Sequence, residues 1–279
     1  MKANNLLLLS LSLFFGCGNK SSKADTEANV SEVAVISYNL NKPSQKYILP
    51  KSLDEISGLS FYKDHQLACV NDEEGRVFVY DYQKEAVVDK IKFGKAGDYE
   101  GVEVVDNEVF VLKSNGMVHG FKIGEAFERD IDCTHPDVKE YEGLSYDPKK
   151  KYLLLAAKER VKSKDDIKMI YAYSLTSKTF FKYIGIPEAK VKGDNGNKDF
   201  KPSGIAIHPL NRDIYILASQ GKKLLILADD GHKKALISLD PSLYRQPEGI
   251  CFSPQGELFI ASEGAGQAGY ILRFATKGD

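Results

Sequence analysis

The chain carries none of the compact catalytic signatures a sequence can display. It has no Gly-x-Ser-x-Gly, no His-Glu-x-x-His, no phosphate-cradling Gly-x-x-x-x-Gly-Lys-Ser/Thr and no dinucleotide glycine pattern. Serine hydrolases of the nucleophile-elbow type, helix-borne zinc proteases and P-loop or Rossmann nucleotide binders are therefore without support. Histidine is scarce: five residues, at 65, 119, 135, 208 and 232, fall in separate segments and none is paired with another. No Cys-x-x-Cys occurs among the four cysteines, so a zinc site of that spacing is excluded. Charge of one sign is also missing. With 38 Lys and Arg against 39 Asp and Glu, the net charge of −1 leaves no basic footprint for nucleic acid. Tryptophan is absent, which excludes nothing. The apolar stretch Leu6 to Phe15, ten residues, is too short to span a bilayer comfortably.

What is there is a repeat. Tyr99-Glu100-Gly101-Val102-Glu103 returns as Tyr141-Glu142-Gly143-Leu144-Ser145 and as Pro247-Glu248-Gly249-Ile250-Cys251. Two copies put serine in place of glutamate: Ile56-Ser57-Gly58-Leu59-Ser60 and Pro202-Ser203-Gly204-Ile205-Ala206. The glycines at 58, 101, 143, 204 and 249 are spaced by 43, 42, 61 and 45 residues. A period in the forties marks a propeller or another closed array. Each unit continues as short β-rich runs separated by Gly, Asp, Asn and Pro, the pattern of an antiparallel meander. Fourth strands are expected at 86–93, 127–132, 179–186 and 234–239. One four-stranded sheet cannot cover both of its faces, whereas a ring of them covers every face and leaves only short edges.

The expected fold is therefore all-β, a β-propeller of five blades. The 61-residue step leaves room for a sixth, degenerate blade within 161–200. The 43% hydrophobic and 28% charged content suits one globular domain over 32–279. The last unit ends at Phe274 without a fourth strand, and Val33 to Tyr38 alternates as one. That N-terminal segment is expected to supply the outer strand of the last blade and close the ring.

Ahead of the domain lies an address. Met1-Lys2 and the apolar stretch read as a signal peptide. Its end at Gly16-Cys17 resembles a bacterial lipobox, in which a small residue precedes the lipidated cysteine; Phe14 and Phe15 depart from the usual residues. Residues 1–17 are expected to be a lipoprotein signal peptide with its lipobox cysteine, and 18–31 a flexible tether. Lipidation of Cys17 would anchor the protein at a membrane of the bacterial cell envelope, inner or outer. Of the remaining cysteines, Cys69 and Cys251 lie in apolar strands and read as small core residues, and three thiols cannot all pair.

The innermost strand of each blade lines the channel, so Glu100, Glu142 and Glu248 should converge near the axis, joined by Ser57 and Ser203. The turn after each second strand adds channel-facing polar candidates: Asp72 and Glu73, Asn115, Glu159, Gln220 and Glu263. Carboxylates gathered around one axis repel unless protons or a cation intervene, and hard oxygen donors suit Ca²⁺ or Mg²⁺. The other reading of the same glutamates is structural, each accepting backbone amides of the neighbouring blade. Gly193 to Asp199 is oxygen-rich without the EF-hand spacing and reads as a solvated loop, as does the charge run Lys158 to Asp166. His119 is the histidine placed to face a carboxylate across the channel.

Three segments taken in order resemble a known family: Asp54-Glu55-Ile56-Ser57-Gly58-Leu59-Ser60, Val70-Asn71-Asp72-Glu73-Glu74-Gly75-Arg76-Val77 and Gly97-Asp98-Tyr99-Glu100-Gly101-Val102. They are similar to the SdiA-regulated (YjiK-like) family and, more distantly, to esterase-like phytases, over about residues 45–275. The resemblance implies a β-propeller exported to the cell envelope, with a relation to calcium in some members. It brings no catalytic residues. Two functions follow as expectations. The first is a lipid-anchored binding module taking an envelope protein or small ligand at one face, with Ca²⁺ as a candidate cofactor. The second is a metal-dependent hydrolase of lactonase or phosphoesterase type using the channel carboxylates.

Overall fold

The computed structural model describes residues 37–125, 128–159, 167–191 and 200–276. The first strand is β1 (Gln45–Ile48). Blade one then holds β2 (Ile56–Lys63), β3 (Gln66–Asn71), β4 (Arg76–Asp81) and β5 (Ala86–Lys92). Blade two holds β6 (Tyr99–Val105), β7 (Glu108–Lys113), β8 (Met117–Lys122) and β9 (Glu128–Asp132). Blade three holds β10 (Tyr141–Asp147), β11 (Tyr152–Ala157), β12 (Ile167–Ser174) and β13 (Phe180–Pro187). Blade four holds β14 (Lys201–Ile207), β15 (Ile214–Gln220), β16 (Lys223–Leu227) and β17 (Lys233–Ser238). In blade five, β18 (Pro247–Phe252), β19 (Leu258–Ser262) and β20 (Tyr270–Phe274) are completed on the outside by β1.

All five sheets are antiparallel meanders of four strands, and β2, β6, β10, β14 and β18 pack in sequence around one axis. The fold is a five-bladed β-propeller. No sixth blade is present among the described residues: the long step is taken up between β11 and β12 and between β13 and β14. The same residues contain no helix long and apolar enough to cross a membrane.

The ring closes as expected in kind but with a different strand. Gln45 to Ile48 pairs with β20 (Gln45 opposite Arg273, Ile48 opposite Tyr270). Of the segment expected to do this, 33–36 lies outside the described residues. Tyr38 is instead buried in an aromatic cluster, its hydroxyl 2.5 Å from the Gly256 carbonyl oxygen. The reason lies in what an outer strand must bury. Like β5 and β17, β1 faces mostly solvent, and only Tyr47 is buried, against Tyr80 and Tyr82. One buried residue in four, with the apolar Ile48 exposed beside it, gives no alternating signal.

Five separate cores lie between neighbouring blades. The interface of blades four and five holds Tyr215, Leu224 and Ile226 against Ile250, Phe259's neighbours Leu258 and Ile260, and Phe274. That of blades five and one holds Cys251, Phe259 and Ile271 against Leu59, Cys69 and Phe78. Three further clusters complete the circle. Cys69, Cys133 and Cys251 are buried free thiols.

At the axis the repeated glycines meet. A Cβ on Gly58 would stand 2.8 Å from the Gly101 Cα, and one on Gly204 would stand 2.2 Å from the Glu248 carbonyl oxygen. No side chain fits there, so glycine at this position is what lets five inner strands converge. The channel at this waist encloses about 10 Å³, the threshold for a single water.

Candidate functional site: two channel mouths

Every inner strand breaks register at the repeat: at Ile56/Gly58, Tyr99/Gly101, Tyr141/Leu144, Pro202/Gly204 and Pro247/Ile250. A bulge bends the strand and re-aims the side chain it carries. The residue carried there is the Glu or Ser that precedes each glycine. Sequence and backbone thus act together to turn one residue per blade out of the ladder, at the mouth where the inner strands begin.

The two serines are latches. Ser57 Oγ donates to the Tyr99 carbonyl of the next blade (2.6 Å), and Ser203 Oγ donates to the Pro247 carbonyl (2.7 Å) while accepting the Ser219 N–H (3.1 Å). The glutamates bond to side chains instead: Glu142 to Lys158, Glu248 to Ser219 and Glu100 to Asp98. The latch role belongs to serine.

The three glutamates form the centre of an acidic cup. Burial pushes the Glu100 carboxyl up to about 9, helped by the negative charges of Glu142, Asp98 and Glu248. Glu248 is pushed up to about 8 by burial and then by Glu142 and Glu263. Glu263 is pushed up to about 7 by burial, Glu55 and Asp72, while accepting a bond from Gln246 (2.5 Å). Burial, Glu73 and Glu55 also raise Asp72, whose Oδ1 is enclosed without a hydrogen-bond partner among the described residues. Glu142 is raised by burial although Lys158 offsets part of the effect. Lys158 Nζ sits 2.5 Å from Glu142 and 3.0 Å from Glu140. Burial opposes its charge, but the two ion pairs outweigh that and hold it protonated. Blade four adds Ser203, Ser219 and Lys222, whose Nζ donates to the Ser219 carbonyl (2.7 Å).

The other expected channel residues divide. Glu159 is tied to Lys201 (2.8 Å), which lowers its carboxyl. Asn115 is exposed and accepts the Met117 N–H within its own turn (3.0 Å), and Gln220 and Glu73 are exposed. His119 lies on the third strand of blade two, paired with Asp130 and beside Phe93, away from the channel. Cys17, the 193–199 loop and 160–166 lie outside the described residues. Lys158, expected to be part of a plain loop, is the cup's main counter-charge.

Fit to a metal is a question of donor geometry. Among the described residues no three His, Cys, Asp or Glu side chains are grouped as a metal ion needs. Lys158 stands where a cation would share Glu142. The donor set is hard and acidic, as calcium requires, but as arranged it is balanced by a lysine and by protons.

The opposite mouth, where the inner strands end, holds a larger cavity of about 440 Å³. It exists because the fifth repeat position is small in four blades: Ser60, Ser145, Ala206 and Cys251, with Glu103 in the remaining one. Glu103 is not marked by the Glu-Gly repeat. The only signal for it was one acid among four small residues at equivalent positions.

A channel sealed at a glycine waist, with an acidic cup on one side, defines a propeller of the blind-channel kind rather than an open pore. The family profile of SdiA-regulated proteins matches residues 37–266, and the chain belongs to the SdiA-regulated family. Compared with curated proteins, the sequence has no match. Solved structures share the fold at low identity. Myxococcus xanthus glutaminyl cyclase is 13% identical, with 84% of this chain and 95% of that one covered and a TM-score of 0.60. Streptogramin B lyase is 10% identical, covering 83% and 97%, with a TM-score of 0.50. A chain of the nidogen/laminin complex is 15% identical, covering 74% and 72%, with a TM-score of 0.52. Likeness at this level concerns architecture, since one fold hosts many chemistries.

Proposed function

We propose that this propeller is a binding module held at a membrane of the cell envelope by a lipid on Cys17, and that its acidic cup receives a positively charged group. The observation that carries the reading is the convergence of Glu100, Glu142, Glu248 and Glu263 on a channel sealed behind them. Burial and mutual repulsion leave Glu100 and Glu248 holding protons near neutrality, so an arriving cation gains contacts by displacing them. The membrane anchor rests on the Gly16-Cys17 sequence alone. Calcium and an organic ammonium, free or on an envelope protein's lysine, are the two forms such a cation would take.

Calorimetric titration of the full chain in mild detergent with CaCl₂, and separately with spermidine, tests this in buffers of different ionisation enthalpy. Binding should release protons and strengthen from pH 6 to pH 8.5, and Glu248→Gln should weaken it at least about tenfold. Failure of both probes to bind across that range would sink the proposal.

A hydrolase remains as a second reading because Glu100 and Glu142 set a proton-holding carboxyl beside an ion-paired one, the pairing that general acid catalysis uses. Turnover of lactone or phosphoester substrates that disappears in Glu100→Gln would promote it over simple binding.

A further inference from the structure

The cavity at the strand-end mouth is independent of the cup, being cut off from it by the glycine waist. Its floor is the Glu103 carboxylate. Oε1 accepts from Ser60 Oγ (2.8 Å) and from the Val104 N–H (3.1 Å), and Oε2 accepts from the Tyr146 N–H (3.0 Å). All of these donors are neutral. The cation nearest in the lining, Arg212, is committed elsewhere, to Asp147 (2.9 Å) and Asp229 (3.2 Å). Glu103 is thus half-buried and opens on the cavity, with no ion-pair partner among the described residues.

The rest of the lining mixes apolar and aromatic walls with small polar groups at Ser60, Ser145 and Ser253. Phe61, Tyr146, Pro209 and Phe252 form walls, and Asp106 stands among the lining residues as a second acid. His208 is not available as a cation. Its Nδ1 accepts the Leu210 and Asn211 N–H groups (3.2 and 3.3 Å), its Nε2 meets Tyr38 Oη (2.9 Å), and burial pushes its pKa down. A volume of this size falls in the range of small-molecule sites, where apolar walls hold the body of a ligand and one placed polar group orients it.

We infer that this cavity is a second binding site, for a small organic amine: an apolar or aromatic body against the walls and a protonated nitrogen donating to Glu103. Charge complementarity selects the amine over a neutral or anionic ligand, because two acids face the cavity and its arginine is already paired. A purely structural Glu103 would stitch blades one, two and three through its bonds from Ser60, Val104, Ser145 and Tyr146 and would need no ligand. Glutamine keeps an acceptor at one oxygen but sets an amide N–H against the donors at the other, so a structural role would appear as lost stability with both kinds of ligand affected alike. That difference makes the inference testable.

The probes are phenethylamine and its neutral counterpart 2-phenylethanol, titrated calorimetrically into the full chain in mild detergent. At pH 8 the amine should bind at least about tenfold more tightly than the alcohol, and Glu103→Gln should remove that preference while leaving the alcohol within about twofold. Burial holds the Glu103 carboxyl at about 7 against the bonds that favour its ionised form. The amine stays protonated throughout, so its affinity in the unsubstituted protein should rise about tenfold from pH 6 to pH 8, the ratio of ionised fractions. Of the facing groups, His208 has Nδ1 occupied as an acceptor and burial favours its neutral form, Arg212 is ion-paired, and burial keeps the Cys251 thiol protonated. Asp106 is common to both proteins, so comparing the profile with that of Glu103→Gln isolates Glu103. Should Glu103→Gln fail to fold, this profile alone decides. A crystal structure with phenethylamine should place its nitrogen on Glu103. Equal affinity for both probes, a flat pH profile, or amine found only in the acidic cup would each overturn the inference.

Discussion

Replacing Glu100 by glutamine removes the most strongly perturbed carboxyl of the cup at little change in shape. The Glu100 carboxyl moves from 4.5 to about 9 on folding, through burial and the charges of Glu142, Asp98 and Glu248. Its folded-state pKa is raised, so the stability linked to its proton is fully present below pH 4.5 and is lost as pH rises toward 9. From 4.5 to pH 7, at about 1.4 kcal/mol per pH unit, the unsubstituted protein forgoes at most about 3.5 kcal/mol that glutamine never loses. The other carboxyls share the protons, which makes this an upper figure. For a domain of this size it corresponds to a rise in Tm of at most roughly 7–14 °C at pH 7. Thermal unfolding of both proteins at pH 5, 7 and 8.5 reads the effect directly. The curves should nearly coincide at pH 5, and the glutamine variant should lie increasingly above at pH 7 and 8.5. If Glu100→Gln is less stable at every pH, the glutamate is a latch and the repulsion argument fails.

Three further outcomes follow from the same geometry. Ser203→Ala strips the Pro247 carbonyl and the Ser219 N–H of a buried partner, and should cost about 1–3 kcal/mol in urea unfolding. Gly204→Ala forces a Cβ to within 2.2 Å of the Glu248 carbonyl oxygen, and should lower stability by more than about 4 kcal/mol or abolish soluble expression, as read by circular dichroism of whatever is recovered. Burial drives the Cys69 and Cys251 thiols far above their ordinary range and Cys133 up to about 12, so in a Cys17→Ser background Ellman's reagent should find no fast thiol in the native protein and three after denaturation.

Much of this architecture was legible in the residues, because a propeller repeats its solution. The convergence of five inner strands demands glycine at one position per blade, and that demand writes a period of about forty residues into the chain. The outer strands at 86–92, 128–132, 180–187 and 233–238 also fell within a residue or two of their expected bounds. The closing strand was misplaced because an outer strand with one buried tyrosine carries no periodic pattern. Blade number stayed open in the sequence because a 61-residue step is equally a long insert or a sixth sheet, and only strand pairing separates them.

The repeat position by itself determined that Glu100, Glu142 and Glu248 would meet. What each does with its charge was decided by neighbours from other blades. Lys158 reaches Glu142 from a segment that reads as solvated loop, and Ser57 and Ser203 take the latch role by donating to carbonyls about forty residues away. Glu103 is the clearest case. Beside a glycine repeat it looks like an ordinary strand glutamate. It becomes the floor of a cavity only because four distant strands bring Ser60, Ser145, Ala206 and Cys251 to the same level. Local periodicity specifies which residues share a height along the axis. Burial, proton affinity and empty volume depend on what the other blades place opposite, and only the closed ring supplies that.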